Sequence, residues 1–312
     1  MKVFIAGHNG MVGSSFKRIL EEDGGYEVLV KNKSELNLLD QSSVYNFLKK
    51  EKPEFVYMAA AKVGGIYSND TYRADFIFEN LQIQNNVIFG SHLADIDNLF
   101  FLGSSCVYPK LCPQPIKEDY LLTSELEKTN EPYAVAKIAG LKLCENLNKQ
   151  YGRKYSCLMP TNLYGIGDNY HLSNSHVLPA LIAKSIAAQR DNSSLKIWGT
   201  GKPLREFLYV DDLSYAAHHL LKQGLTYDLI NIGSGDEISI NDLGYLILEL
   251  IDYRDGIIEF DQTKPDGTPR KLLDISKIKG TGWQTKYSLS EGIKISIQDY
   301  KKNFSNQSLR SK

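Results

Sequence analysis

Cysteine is scarce: four residues in 312, at Cys106, Cys112, Cys144 and Cys157, with no C-x-x-C spacing. That excludes a disulfide framework and a thiolate-rich metal site, so all four are read as thiols and no metal is expected. No apolar stretch approaches the length that spans a bilayer, so no membrane association is expected. Met1 is followed at once by strand-like residues, without a charged leader and apolar core, and a cytoplasmic location is expected. An excess of either charge is also lacking. Lys and Arg number 36 against 37 Asp and Glu, a net −1, which gives no global attraction to nucleic acid. Any anion must therefore be held by a local pocket. There is no internal repeat and no low-complexity tract. What is present is an ordinary globular composition, 42% hydrophobic and 23% charged, long enough for one large or two modest domains.

Along the first half, short apolar runs alternate with helical stretches. Lys2–Ala6, Glu27–Val30, Glu54–Met58, Leu99–Leu102 and Tyr155–Met159 suit the buried strands of a parallel sheet. Met11–Leu20, Gln41–Lys52, Thr71–Asp95 and Tyr133–Tyr151 suit the helices between them. The pattern predicts an α/β fold with a Rossmann-type doubly wound parallel sheet. Beyond Pro160 the rhythm changes, with Gly- and Pro-containing loops between shorter strands at Lys196–Trp198, Phe207–Tyr209, Leu229–Ile232 and Ile257–Phe260. A smaller α/β C-terminal substrate domain is expected over residues 166–304. The nucleotide-binding domain then covers residues 1–165, with later segments returning to it, and 305–312 is a polar tail.

Two local patterns carry chemistry. After the first strand, Gly7, Gly10 and Gly13 form a G-x-x-G-x-x-G turn into a helix. Glycines there allow close backbone approach, and the free N–H groups of the first helical turn favour a pyrophosphate. The second strand runs into Lys31, Asn32 and Lys33 rather than the acid that binds a ribose 2′-hydroxyl, which favours a 2′-phosphate. Further along, Tyr133 and Lys137 stand one helical turn apart on one face. A Lys there can favour the phenolate of a Tyr that is otherwise a poor acid or base at neutral pH. Ser104, at the carboxyl end of the fourth strand, supplies a hydroxyl for a substrate oxygen.

The blocks GHNGMVGS, FLGSSCVYPK, NEPYAVAKIAGLKLCE, PTNLYG, SNSHVLPAL, GKPLREFLYVDDL and KPDGTPRKLLD together resemble the GDP-L-fucose synthase family of extended short-chain dehydrogenase/reductases, over nearly the whole chain. The resemblance implies NADPH-dependent conversion of a GDP-4-keto-6-deoxy sugar, most simply GDP-4-keto-6-deoxy-mannose to GDP-L-fucose, by epimerisation at C3 and C5 and reduction at C4. It implies Ser104, Tyr133 and Lys137 as the reducing triad, with Cys106 and His176 as the acid/base pair. For the coenzyme it implies Gly7, Asn9, Gly10, Met11, Val12, Gly13, Lys33, Asp40, Leu102, Gly103, Ser105, Lys137, Pro160, Asn162, Leu163 and His176. For the GDP-sugar it implies Lys184, Trp198, Arg205 and Asp266.

Some of these residues also have a plainer reading. Arg205 could pair with Glu206 or Asp211 on the surface, and Asp40 could simply cap the helix that follows it. Two departures stand out: Asn9 replaces an Arg of the family's glycine turn, and Ile166-Gly167 replaces a Pro-His pair. Reduction of another GDP-4-keto sugar, such as a 6-deoxy-heptose, and a non-catalytic dinucleotide-sensing regulator are the competing functions. The apolar helices over Asp75–Ile96 and Tyr133–Tyr151 predict a homodimer.

Overall fold

The computed structural model describes residues 1–171, 175–224, 226–264 and 266–305. Ser173 and Asn174 of the SNSH block, and the expected tail beyond residue 305, lie outside the described residues. The chain runs through β1 (Lys2–Ala6), α1 (Met11–Asp23), β2 (Glu27–Leu29), α2 (Gln41–Glu51), β3 (Phe55–Met58), α3 (Ile66–Thr71), α4 (Arg73–Leu93), β4 (Asn98–Leu102), α5 (Glu131–Tyr151) and β5 (Lys154–Pro160). The helix expected over Thr71–Asp95 is α4, and the short α3 before it was not expected. Tyr72, at φ −106° and ψ 42°, leaves the helical region between α3 and α4.

It continues through β6 (Asn162–Tyr164), α6 (Val177–Arg190), β7 (Leu195–Trp198), β8 (Leu204–Tyr209), α7 (Val210–Gln223), β9 (Leu229–Ile232), β10 (Glu237–Ser239), α8 (Ile240–Leu250), β11 (Ile258–Asp261), β12 (Arg270–Lys271), α9 (Ser276–Gly280) and α10 (Leu289–Ser305). Six parallel strands form the main sheet in the order β2-β1-β3-β4-β5-β9. Their apolar runs are buried on both faces, with Val3, Ile5, Val56, Tyr57, Leu99, Phe101 and Leu158 each at most 0% exposed. Sequence order reverses at β1 and β3, so the crevice beyond their carboxyl ends is where such sheets take ligands.

The second lobe hangs on β8. Its first half pairs antiparallel with β10 and parallel with β12, and its second half pairs with β6. Beside it β7 and β11 form a parallel pair. Two apolar cores result. Tyr164, Leu181, Ile197, Phe207, Ile247 and Ile293 belong to the second, whereas Leu213 and Leu220 of α7, Ile230 of β9, Leu273 and Trp283 pack into the first. The chain thus returns twice to the nucleotide lobe after leaving it. Buried Asn231 stitches one return in place: its amide nitrogen donates to Ile116 O at 2.9 Å and Asp274 O at 3.1 Å, and its oxygen accepts from the Tyr108 hydroxyl at 2.6 Å. Among the described residues no helix is long and apolar enough to cross a membrane.

Candidate active site

The glycine turn after β1 is built tightly. Gly7 sits at φ +94°, and a Cβ on it would meet the Ala60 backbone at 2.7 Å. A Cβ on Gly13 would fall 2.2 Å from Gly7 O, so α1 packs directly against the turn. Gly10, the N-cap of α1, has no side chain to satisfy the first-turn N–H groups of Met11, Val12 and Gly13. An uncapped helix start at the sheet's switch point fits a dinucleotide pyrophosphate. Asn9 donates its amide to Asn32 Oδ1 at 2.8 Å, drawing the turn to the end of β2. There Lys31 pairs with Glu35 at 3.3 Å while Lys33 is exposed. Asp40 caps α2, accepting from the Ser43 N–H at 3.2 Å and hydroxyl at 2.7 Å, so its plainer reading describes this structure.

At the carboxyl end of β4 the chain turns sharply. Gly103 donates to Leu158 O at 2.9 Å, and a Cβ there would strike the Met159 thioether at 2.6 Å. Ser104 caps the short turn Ser105–Val107, its Oγ accepting from the Cys106 N–H at 3.4 Å. From α5, Lys137 is 3% exposed and reaches back to donate to Leu102 O at 2.8 Å. Its Nζ lies 4.7 Å from the Phe101 ring centroid and 5.7 Å from that of Tyr133. Ser104, Cys106, Tyr133 and Lys137 are thus brought together by one strand end and one helix face.

The electrostatics correct one expectation. Burial lowers the Lys137 ammonium to about 8, and the phenol of Tyr133 is pushed up, by burial first and by Cys106 second. Lys137 is turned to the Leu102 carbonyl rather than the phenol oxygen, so it does not favour phenolate here. The Tyr133 phenol keeps its proton. Cys106 retains some exposed surface, yet protein crowds its sulfur and raises the thiol, against the pull of Lys271, Ser104 and Lys137.

His176 is the N-cap of α6. The residue is exposed, while the surrounding protein and then Lys271 hold its ring below the usual imidazole range, which favours the neutral form. Lys271 acts on both His176 and Cys106 and was not singled out from the sequence. Nothing in PRKLLD separates it from a surface lysine; only the pairing of β12 with β8 brings it here. Pro160 ends β5 and Asn162 and Leu163 open β6, with the Asn162 amide donating to Glu206 O at 2.7 Å.

The substrate residues fall into two groups. Trp198, 47% exposed at the end of β7, has the Lys184 ammonium 4.7 Å and the Lys264 ammonium 5.6 Å from its ring. Arg205 and Asp266 form the second group, with Arg205 feeling the Asp266 charge and its Nη2 lying 3.5 Å from the Cβ position of Gly267. Asp266 accepts from the Thr200 N–H at 2.6 Å and hydroxyl at 2.9 Å, which pins its loop to the end of β7. The surface-pair reading of Arg205 fails. Asp211 is taken by Arg18 at 2.5 Å, and Glu206, fully buried, accepts from the N–H groups of Gly235 at 2.8 Å and Leu273 at 3.0 Å.

Residues 3–233 match the model of the NAD dependent epimerase/dehydratase family. The chain is 48% identical to GDP-L-fucose synthase of Escherichia coli (strain K12), covering 97% of each, and 50% identical to GDP-L-fucose synthase 1 of Arabidopsis thaliana, covering 98% of this chain and 95% of that one. Among solved structures, a GDP-mannoheptose C4 reductase from Campylobacter jejuni with NADP bound superposes with a TM-score of 0.86 at 37% identity, over 96% of this chain and 98% of that one. With a glycine turn, a Ser104-Tyr133-Lys137 cluster and matches of this length, the chain belongs to the GDP-L-fucose synthase family within the NAD dependent epimerase/dehydratase proteins.

Proposed function

We propose that this protein converts GDP-4-keto-6-deoxy-D-mannose to GDP-L-fucose with NADPH, epimerising C3 and C5 and then reducing C4. The observation that carries the reading is the convergence of Ser104, Tyr133, Lys137 and Cys106 at the end of β4, with Lys271 acting on both Cys106 and His176. NADPH supplies the hydride when bound. Gly7 to Gly13 receive its pyrophosphate, Lys33 its 2′-phosphate, and Lys137 orients its nicotinamide ribose. Because the Tyr133 phenol stays protonated, it donates to the C4 oxygen as negative charge develops there, with the Ser104 hydroxyl as a second donor.

Protons at C3 and C5 are acidified by the neighbouring 4-keto group, and the same two hydroxyls steady the enolate oxygen. Cys106 and the neutral His176 exchange those protons on opposite faces of the sugar. Arg205 and Lys184 serve the diphosphate, Trp198 offers a flat apolar face, and Asp266 keeps the neighbouring loop in register. A second reading, C4 reduction of another GDP-4-keto sugar such as a 6-deoxy-heptose, is favoured by the Ile166-Gly167 departure beside the His176 loop and by likeness to the heptose reductase.

The test is incubation with NADPH and a panel of GDP-4-keto-6-deoxy sugars in deuterated water, with product stereochemistry and deuterium position read by NMR. The hexose should acquire deuterium at C3 and C5, and Cys106→Ser and His176→Asn should suppress that exchange far more than NADPH oxidation. NADPH oxidation by wild type without deuterium at either carbon refutes epimerisation and leaves the second reading. The free thiols fit a reducing compartment, the cytoplasm. The working form is a homodimer formed through α4 and α5, whose outer faces expose Phe78 at 64%, Leu93 at 54% and Val135 at 40%. A monomer mass by light scattering at micromolar concentration would rule that out.

A further inference from the structure

Lys271 is a half-buried ammonium: among the described residues its side chain makes no ion pair or hydrogen bond. Its backbone is pinned on two sides. In β12 it stands opposite Arg205 of β8, and the chain just beyond is bonded to the segment that follows Cys106, through Ile116 N to Leu272 O at 2.7 Å, Asp274 N to Ile116 O at 2.8 Å and Leu272 N to Gln114 Oε1 at 2.9 Å. In an extended segment Lys271 shares a face with Leu273, which packs into the first core. Lys271 and Cys106 line the same pocket.

The acids nearby are committed elsewhere. Glu206 accepts from two backbone N–H groups, and Glu237 pairs with Arg270 at 2.8 Å. The groups that act on the Cys106 sulfur are Ser104 on its own turn, Lys137 from α5 and Lys271 from β12, and Cys106 in turn acts on Tyr133; Cys112, Arg205 and Glu206 act on Lys271, which acts on His176 of α6. After burial, Lys271 is the strongest influence on the thiol, ahead of Lys137, whose charge is directed to Leu102 O.

We propose that Lys271, which lines one pocket with Cys106, is the positioning charge for proton exchange: its ammonium stabilises the thiolate that Cys106 passes through. When Cys106 gives its proton to the enolate carbon, the S–H electron pair stays on sulfur; when it takes a proton from the sugar, that pair forms the new S–H bond. Both directions cross the thiolate, where a neighbouring cation acts on charge the neutral thiol lacks. The catalytic consequence rests on the epimerase reading. The effect on the thiol does not.

The experiment is iodoacetamide alkylation of the ligand-free full-length protein across pH 6 to 10, with the Cys106 peptide quantified separately from that of Cys112 by mass spectrometry. Lys271→Met should move the Cys106 alkylation midpoint up by a pH unit or more, an about tenfold slower reaction below the midpoint, and Lys271→Arg should restore most of it. Lys271→Gln, which keeps a polar end, gives the same comparison if the Met variant melts early. Deuterium exchange at C3 and C5 should move with the alkylation profile. An unchanged Cys106 profile in a folded Met or Gln variant overturns the proposal, and so does a rise in the KM for the GDP-sugar as the sole effect. A shifted profile in a protein whose wild type exchanges no deuterium keeps the charge effect and refutes epimerisation.

Discussion

Asp168, in the loop between β6 and α6, is an acid whose ionisation works against the fold. Its Oδ1 accepts from the Asn169 N–H at 2.7 Å, but its Oδ2 is sealed from solvent with no hydrogen-bond partner among the described residues. Asp299 of α10 lies close by, already accepting from the Gly167 N–H at 3.0 Å. Burial first, and the Asp299 charge after it, push the Asp168 carboxyl from 3.8 up to about 7. At about 1.4 kcal/mol per unit, keeping it ionised in the folded protein costs on the order of 4 kcal/mol. The folded state holds this proton between about pH 4 and 7 where the unfolded chain has lost it. Stability therefore falls as pH rises through that window, and the whole deficit is present above it.

Asp168→Asn removes the titration, keeps an acceptor toward Asn169, and turns an amide N–H₂ toward the Asp299 side. The variant should be close to wild type near pH 4.5 and more stable at pH 8, by up to about 4 kcal/mol, or roughly 5–10 °C in Tm for a chain of this size. Thermal and urea melts at the two pH values measure it. A stability difference that is the same at pH 4.5 and 8, or a variant less stable at pH 8, would refute the burial argument.

Tyr133→Phe removes the proton donor for the C4 oxygen and should cut NADPH oxidation by ~10²–10⁴-fold; retention of more than a tenth of wild-type turnover would end that assignment. Gly13→Ala places a Cβ 2.2 Å from Gly7 O, so the turn must open despite the better helix former, and NADPH affinity should drop at least ~10-fold in a fluorescence titration. Unaltered binding would show that the turn is looser than it looks. Lys33→Glu should shift preference from NADPH toward NADH, because Lys31 is already drawn to Glu35; an unchanged ratio of the two kcat/KM values would remove Lys33 from 2′-phosphate recognition.

The parts of the site that were legible in the sequence are those set by local geometry. A glycine turn between β1 and α1, and Tyr133 and Lys137 one helical turn apart, follow from periods of two and 3.6 residues that need no tertiary information. What was not legible depends on pairings between distant segments. Lys271 reaches Cys106 only because β12 pairs with β8 and the next residues with Ile116, and Glu206 reads as a surface acid until β8 is seen to be the seam between the lobes. The direction of Lys137 was also hidden, since spacing shows which face a side chain shares but not that a carbonyl at the end of β4 accepts its hydrogen bond. The short helix α3 was hidden because Ser68, Asn69, Asp70 and Thr71 give it no apolar period.

The late arrival of β9 bears on how the chain is made. Until residues 229–232 emerge from the ribosome, β5 is the bare edge of a five-stranded parallel sheet, and the first core still lacks α7, Leu273 and Trp283. The nascent nucleotide lobe must therefore wait, partly assembled and with an apolar strand unpaired, for nearly half the remaining chain to be synthesised. A ribosome stalled shortly after residue 165, or a protease cutting there, would release an aggregation-prone fragment rather than a working half. The lobes act as two at the substrate cleft, yet they are born as one.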